Sequence, residues 1–352
     1  MCNLSSYVTN RQELSAQVAL FIRHRMSSYT WVVHNTTITQ DEVYQMMKEG
    51  DDIGYGALKS RHIQCIKKIL GTQVTLTCEY NEDIVQMQYV QNHLPRIVAP
   101  IMRKYQSSHA RVLQFHDWVV HNFRYDKSLT YHSAYAGIVH GRTVCNGYSM
   151  MFAYLCREAD IPCQIAVGKV HRRGLHAWNM VQLDGAWYHV DTTWDSPVSD
   201  LNDAYVPYGF YMLTDSEMAM TRKVGMQVRG KKTPTATTMY ATVLQQLCDN
   251  AHPHTSELEQ IRRSTGLIYT EPRNTIADRK SLLTWVVGCM QSGLTQATIR
   301  YTALTLFVSS DLKWVRARLQ VLYAPQAKRI QLTYQSYYRA GSEHSLVMLH
   351  FS

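Results

Sequence analysis

The sequence predicts an α+β protein. A middle segment packs one helix on an antiparallel sheet, and an α/β module flanks it on each side. Three observations predict this. Stretches with apolar residues at three- and four-residue spacing are interspersed with runs that alternate apolar and polar. The dipeptide Asp184-Gly185 stands between two such alternating runs, a strong signal for a type I′ hairpin. The order helix, strand, helix, strand pair occurs once near each end of the chain.

The predicted division is an N-terminal accessory module over 1–97, a central domain over 98–220, a basic linker over 221–239 and a C-terminal accessory module over 240–352. In the first module, Leu14, Val18, Phe21, Ile22 and Met26 share one face of a helix over 12–26. A strand over 29–34 and helices over 40–47 and 58–69 follow. Loosely alternating runs at 73–80 and 83–90 suggest a hairpin across Asn81-Glu82. The last module gives a helix over 279–291, a strand over 296–302 and a helix over 311–323. A strand pair, 329–337 with 344–350, closes it around Ala340-Gly341-Ser342. This shared order suggests that the last module is a diverged repeat of the first.

In the middle, residues 110–123 form a helix with Val112, Phe115, Val119 and Val120 on its apolar face. Helical spacing resumes at 148, 152 and 155 and stops at Ala159-Asp160, ahead of Ile161-Pro162. A strand is expected over 163–170, then the hairpin of 176–183 with 186–192.

Charge and composition exclude several functions. The chain has 352 residues, 45% of them apolar and 18% charged, so a disordered or fibrous chain is ruled out. No stretch approaches the ~18 unbroken apolar residues of a membrane span. The first residues lack a basic start followed by an apolar run, so no intact signal peptide is expected. The compartment stays open between cytoplasm and secretion after leader removal. Residues 1–100 carry 9 basic and 9 acidic groups, and residues 101–215 carry 10 of each, so the whole net charge of +9 lies after residue 216. That region suits an anionic partner. No nucleic-acid module accompanies it, and its basic clusters lack the aromatic interleaving of a single-strand binder. Eight cysteines without a CxxC give neither a disulfide framework nor a thiolate zinc site.

One cysteine differs from the rest. Cys145 stands at or just before a helix N-terminus, where free backbone N–H groups and the helix dipole stabilise a thiolate and can also bind an oxyanion. In the hairpin, the Asp184-Gly185 turn sets Leu183 opposite Ala186, so Trp178 falls opposite Asp191. His176 then shares a face with Asp191 at roughly 7–8 Å between Cα atoms, within reach of an imidazole–carboxylate hydrogen bond. A nucleophilic thiol needs a base, and the base needs an orienting group. Helix packing on that face would bring Cys145 to His176. Taken singly, each residue has a bland reading: an inert buried thiol, a structural histidine, a strand-end carboxylate. Their order and spacing together carry the inference.

Other residues rank second. His140 and His171 could line a cleft, and His189 shares the hairpin face. Trp178, Trp187 and Trp194 suit either a groove wall or the core. Asn179 points away from His176, Cys156 and Cys163 are expected to be buried, and no spacing argument gives Tyr135 an oxyanion role.

The runs Gly141-Arg142-Thr143-Val144-Cys145-Asn146-Gly147-Tyr148, His176-Ala177-Trp178-Asn179 and Trp187-Tyr188-His189-Val190-Asp191-Thr192-Thr193-Trp194-Asp195 resemble the Cys, His and Asp blocks of the transglutaminase-like superfamily, a group of papain-like cysteine enzymes. The resemblance covers about 105–215. It extends to bacterial transglutaminase-like domain proteins and to peptidases of the kyphoscoliosis type. It implies a triad of Cys145, His176 and Asp191 working by acyl transfer through a thioester, on a protein or peptide substrate. The acceptor is left open, because water, lysine amines and other nucleophiles are all used in the superfamily. Hydrolysis is expected, since nothing in the chain marks a dedicated amine site. Cross-linking, or a non-enzymatic scaffold on the same fold, is the alternative. No cofactor is expected, and no metal, because no acidic loop of EF-hand type occurs.

Overall fold

A computed structural model describes residues 4–170, 174–196, 206, 208–219, 227–228, 234–270, 274–302, 305–323, 330–339 and 342–351. Cys2, His171, most of the basic linker and the turn at Ala340-Gly341 lie outside the described residues. Contacts divide the chain into two compact units, 1–206 with 210–238, and 207–209 with 239–352.

The first unit opens with β1 (Tyr7–Val8), α1 (Arg11–Arg23), β2 (Ser28–His34), α2 (Gln40–Gly50), α3 (Asp52–Gly56), β3 (Leu58–Lys68) and β4 (Gly71–Tyr80). Its sheet runs β1-β2-β4-β3, with β1 parallel to β2 and the other neighbours antiparallel. Val18, Phe21, Trp31, Val33, Val43, Val74 and Leu76 fill the core between helices and sheet.

Two expected elements are corrected here. Residues Leu58–Lys68 form a strand, not the helix expected over 58–69. They pair with β4 from Arg61 opposite Cys78 to Lys68 opposite Gly71, so the ladder overrides the helical spacing of Leu58, Ile66 and Ile69. The hairpin turns at Ile69-Leu70, both exposed. Residues 83–90 begin a helix rather than a strand. Asp83 caps it by accepting from Gln86 N–H, and the Gln86 side chain returns the bond to Asp83 N–H, a capping box. Met87, Val90, Leu94 and Val98 bury its apolar stripe.

That helix, α4 (Ile84–Lys104), spans residue 97, so the first module and the middle share it. Then come α5 (Ser108–Asn122), β5 (Arg124–Tyr125), α6 (Ala134–His140), β6 (Arg142–Thr143), α7 (Cys145–Glu158), β7 (Cys163–Val170), β8 (Gly174–Leu183), β9 (Ala186–Val190), β10 (Tyr211–Leu213), α8 (Asp215–Ala219) and β11 (Gln227–Val228). The central sheet is antiparallel, in the order β10-β9-β8-β7-β11. Two residues of the expected linker thus form its edge strand. Asp184 and Gly185 both have positive φ, 48° and 81°, as a type I′ turn requires.

The second unit contains α9 (Tyr240–Asp249), α10 (Thr255–Ser264), β12 (Thr275–Ile276), α11 (Arg279–Gln291), β13 (Gln296–Tyr301), α12 (Thr305–Leu322), β14 (Ile330–Arg339) and β15 (Ser342–Phe351). Its sheet runs β12-β13-β15-β14, with β12 parallel to β13 and the rest antiparallel. Strand order and sense are those of the first module's sheet. Leu282, Val286, Ile299, Tyr301, Val315 and Val347 form its core. No helix among the described residues is long and apolar enough to cross a membrane.

A buried cluster joins the first module to the middle. The Glu82 carboxylate, fully buried, accepts from Tyr154 Oη at 2.8 Å, the Tyr135 N–H at 3.0 Å and Arg25 Nη2 at 3.5 Å. Truncating Glu82 to Ala leaves the Arg25 charge buried without its counter-ion, which costs about 3–5 kcal/mol. Urea denaturation of the full chain should show that loss for Glu82→Ala. A loss under ~1 kcal/mol, the scale of a surface pair, would mean the cluster does not hold the two parts together.

Candidate active site

The site grows from the start of α7. Val144 precedes the helix with no side-chain cap, and Cys145 is its first residue, so the first N–H groups have no intrahelical acceptor. Gly147 is required by packing. A Cβ there would lie 2.0 Å from Thr143 Oγ1 and 2.5 Å from the Ser133 carbonyl. Asn146 Nδ2 donates to the carbonyls of Gly56 at 2.6 Å and His132 at 2.9 Å. The helix turn that carries the thiol is therefore pinned from two sides, one of them α3 of the first module.

The hairpin register holds from Leu183 opposite Ala186 to Asn179 opposite Val190, where β9 ends. His176 and Asp191 lie just beyond that end, and His176 Nε2 bonds Asp191 Oδ2 at 2.7 Å. The other carboxylate oxygen accepts the N–H groups of Thr193 at 3.1 Å and Trp194 at 3.2 Å. Both side chains are buried: His176 is 8% exposed and Asp191 0%. With Nε2 committed to Asp191, Nδ1 is the nitrogen left for the Cys145 thiol, which lies within hydrogen-bonding reach of the ring.

The route of that contact differs from expectation. Asn179 Nδ2 donates to the Ser149 carbonyl on α7, so the helix lies against the sheet face opposite His176. The thiol reaches the ring at the open edge of β8, past the end of β9, and there it also meets the Ala177 N–H. The helix N-terminus, not the helix flank, makes the juxtaposition.

Electrostatics follow from this placement. Burial alone would push the Cys145 thiol up, but the His176 hydrogen bond and charge, helped by the Ala177 N–H, outweigh it and leave the pKa lowered. Burial would likewise favour neutral His176. The Asp191 charge and hydrogen bond, then the thiolate, overcome that and raise it to about 9. Thiolate and imidazolium stabilise each other.

Two further His–Asp contacts surround the pair, and sequence reading missed their carboxylates. His116 on α5, fully buried, has Nδ1 at 3.0 Å from Asp117 and Nε2 at 3.1 Å from Asp195. Asp195 also accepts the Phe210 N–H at 2.9 Å. His189 Nδ1 accepts from Trp178 Nε1 at 3.0 Å, and its Nε2 lies 2.8 Å from Asp215 Oδ1. Sheet alternation put Trp178 and His189 on one face. Asp215 and His116 lie 26 and 79 residues from His189 and Asp195, beyond any local spacing rule. Among the second-rank residues, Tyr135 packs on Tyr89, His140 stacks on Tyr131, and Cys156 is buried. No group of three or more metal-ligating side chains occurs among the described residues.

A helix-borne thiol beside a sheet-borne imidazole and carboxylate places the middle of the chain in the papain-like α+β class. Residues 95–192 match the family model described as the Transglutaminase-like superfamily. Kyphoscoliosis peptidase of Mus musculus is 27% identical over 145 residues, 36% of this chain and 22% of that protein. Kyphoscoliosis peptidase of Homo sapiens is 26% identical over 141 residues, 34% of this chain and 21% of that protein. The chain thus spans about a fifth of the length of these curated relatives. A solved structure described as a TGase is 14% identical and covers 47% of this chain and 50% of its own, at a TM-score of 0.28. That is a distant likeness, and the fold rests on the chain's own elements.

His116 yields a test by pH. Burial lowers its pKa, but the carboxylates of Asp117 and Asp195 raise it to about 9, above the ordinary value of 6.5. A raised folded-state pKa contributes stability that is complete below 6.5 and is lost as pH rises through about 9. His116→Gln removes this titration, so its melting temperature should fall less than wild type's between those pH values. Comparing the two proteins separates His116 from His176, which titrates with the same sign. Equal alkaline slopes would show that His116 is not held charged.

Proposed function

We propose that the chain is a cysteine hydrolase or acyltransferase acting on peptide or glutamine amide bonds through a thioester, with Cys145 as nucleophile, His176 as acid–base and Asp191 as its orienter. The observation that carries the reading is the 2.7 Å His176–Asp191 bond, made through Nε2 and leaving Nδ1 for the thiol. In this reading the Cys145 thiolate attacks the amide carbonyl. The developing oxyanion turns to the free N–H groups at the start of α7. His176 gives its proton to the leaving amine, and the C–N bond breaks to leave a thioester. The neutral imidazole then takes a proton from water, whose hydroxide oxygen attacks the thioester. Collapse releases the acid, and the proton passes back to the His176–Cys145 pair.

Hydrolysis is favoured because water needs no dedicated site. The two accessory modules, alike in sheet order, are assigned to presenting or tethering substrate, with the basic region after residue 216 meeting an anionic partner.

Peptide libraries treated with wild type and Cys145→Ala, read by mass spectrometry, test the proposal. Cleavage yields new termini, deamidation a Gln→Glu mass change, and transamidation a cross-link. All three should vanish in Cys145→Ala, and Asp191→Asn should lower kcat/KM about 10²- to 10⁴-fold. Iodoacetamide near pH 6.5 should alkylate Cys145 first, since burial raises the thiols of Cys65, Cys78, Cys156, Cys248 and Cys289. Activity that survives Cys145→Ala, or a Cys145 no faster than Cys65, would overturn the reading.

A further inference from the structure

The ring of His176 is held by more than Asp191. It stacks on Trp178 at 6.1 Å between centroids and 16° between planes, and Trp194 meets it edge-on at 6.0 Å and 63°. Trp178 is fixed in turn. Its indole N–H donates to His189 Nδ1, and His189 Nε2 meets Asp215. The proton assignment along this line has one solution. An indole nitrogen only donates, so Nδ1 of His189 must present its lone pair. The His189 proton therefore sits on Nε2 and is donated to the Asp215 carboxylate, an acceptor only. Trp178 and His189 are 1% and 0% exposed, so no water competes for the bond between them. Asp215 anchors the outer end. It exchanges two bonds with Ala236, accepting its N–H at 3.0 Å and donating its own N–H to the Ala236 carbonyl at 2.7 Å.

We infer that Asp215 and His189 are positioning residues for the proposed acid–base: the line Asp215–His189–Trp178 sets the plane of the indole, and the indole sets the plane of the His176 ring. A second consequence concerns the segment around Ala236. Its backbone clamp on Asp215 makes it the outermost part of the active-site support. The inference rests on the Cys–His–Asp reading above. The chemistry of the line explains its residue types. Position 189 must accept from an indole on one side and donate to a carboxylate on the other, which neutral imidazole does with its two nitrogens. A glutamine side chain offers the same pair of groups, while leucine offers neither.

The test is the rate of Cys145 alkylation by iodoacetamide, measured in the full chain near pH 6 and again near pH 9.5. At the lower pH the rate depends on a correctly oriented imidazolium beside the sulfur. At the higher pH the thiol ionises without help. His189→Leu and Trp178→Phe should lower the rate near pH 6 about tenfold, the scale of a small misorientation, while the rate near pH 9.5 stays within about twofold. His189→Gln should restore the low-pH rate to within about twofold of wild type. Asp215→Ala, at a carboxylate whose side chain is 32% exposed, disturbs the core least and should show the same low-pH loss in smaller degree. Cooperative melting confirms that each variant is folded. A purely structural role would lower the melting temperature and leave the ratio of the two rates unchanged. The inference is overturned if folded Asp215→Ala and Trp178→Phe keep the wild-type ratio, or if His189→Gln loses as much as His189→Leu. Should wild-type Cys145 itself prove unreactive near pH 6, the triad reading has failed instead.

Discussion

A two-residue turn fixes where the imidazole and carboxylate of the site fall. With Asp184 and Gly185 both at positive φ, the hairpin closes without a spare residue, and Leu183 must face Ala186. From that pair the register runs outward to Asn179 opposite Val190. A slip of one residue would send His176 and Asp191 to opposite faces and separate Trp178 from His189. The turn is itself held: the carboxylate of Asp184 meets His109 Nε2 on α5 at 2.8 Å. That contact ties the hairpin tip to the helix that also carries His116.

The length of β9 matters as much as its register. Because β9 stops at Val190, β8 has an open edge at residues 176–178, and the first turn of α7 enters there. A longer β9 would have satisfied the Ala177 N–H with a strand carbonyl and closed the space the sulfur occupies. The chain instead turns at Asp191 into a loop held by Asp195, whose carboxylate bonds His116 and the Phe210 N–H. Phe210 in turn packs on Trp194 at 4.9 Å. The same few residues end the strand, aim the Asp191 carboxylate and wall the imidazole.

How much of this could be read from sequence follows from the range of each interaction. The hairpin, the helix start at Cys145 and the strand at 163–170 depend on neighbours a few positions away, and their signals are local. Residues 58–69 misled because amphipathic spacing of 58, 63, 66 and 69 suits a helix in isolation, while pairing with the strand that follows at Gly71–Tyr80 decided otherwise. The helix from Ile84 was hidden by the loose alternation at 83–90, although Asp83 and Gln86 offered a capping box in plain view. Asp215 and His116 left no local trace, because only the folded sheet brings them to His189 and Asp195. A buried imidazole without a nearby carboxylate in the sequence is a reason to look for a distant one.

The first module's part in the site follows from two hydrogen bonds rather than from any reactive group of its own. Asn146, next to the thiol, is tied to Gly56 at the end of α3, and Tyr154, further along the same helix, is tied to Glu82 and Arg25. Helix α7 is thus gripped at its first turn and its third by residues that precede α4. Such a grip resists sliding of the helix along its axis, and axial sliding is the motion that would carry Cys145 away from the open edge of β8. A shift of one residue's rise, about 1.5 Å, would exceed the tolerance of a thiolate–imidazolium pair. In the proposed reading the N-terminal module contributes through position alone, and its removal would be felt at the sulfur through the loss of these bonds to α7.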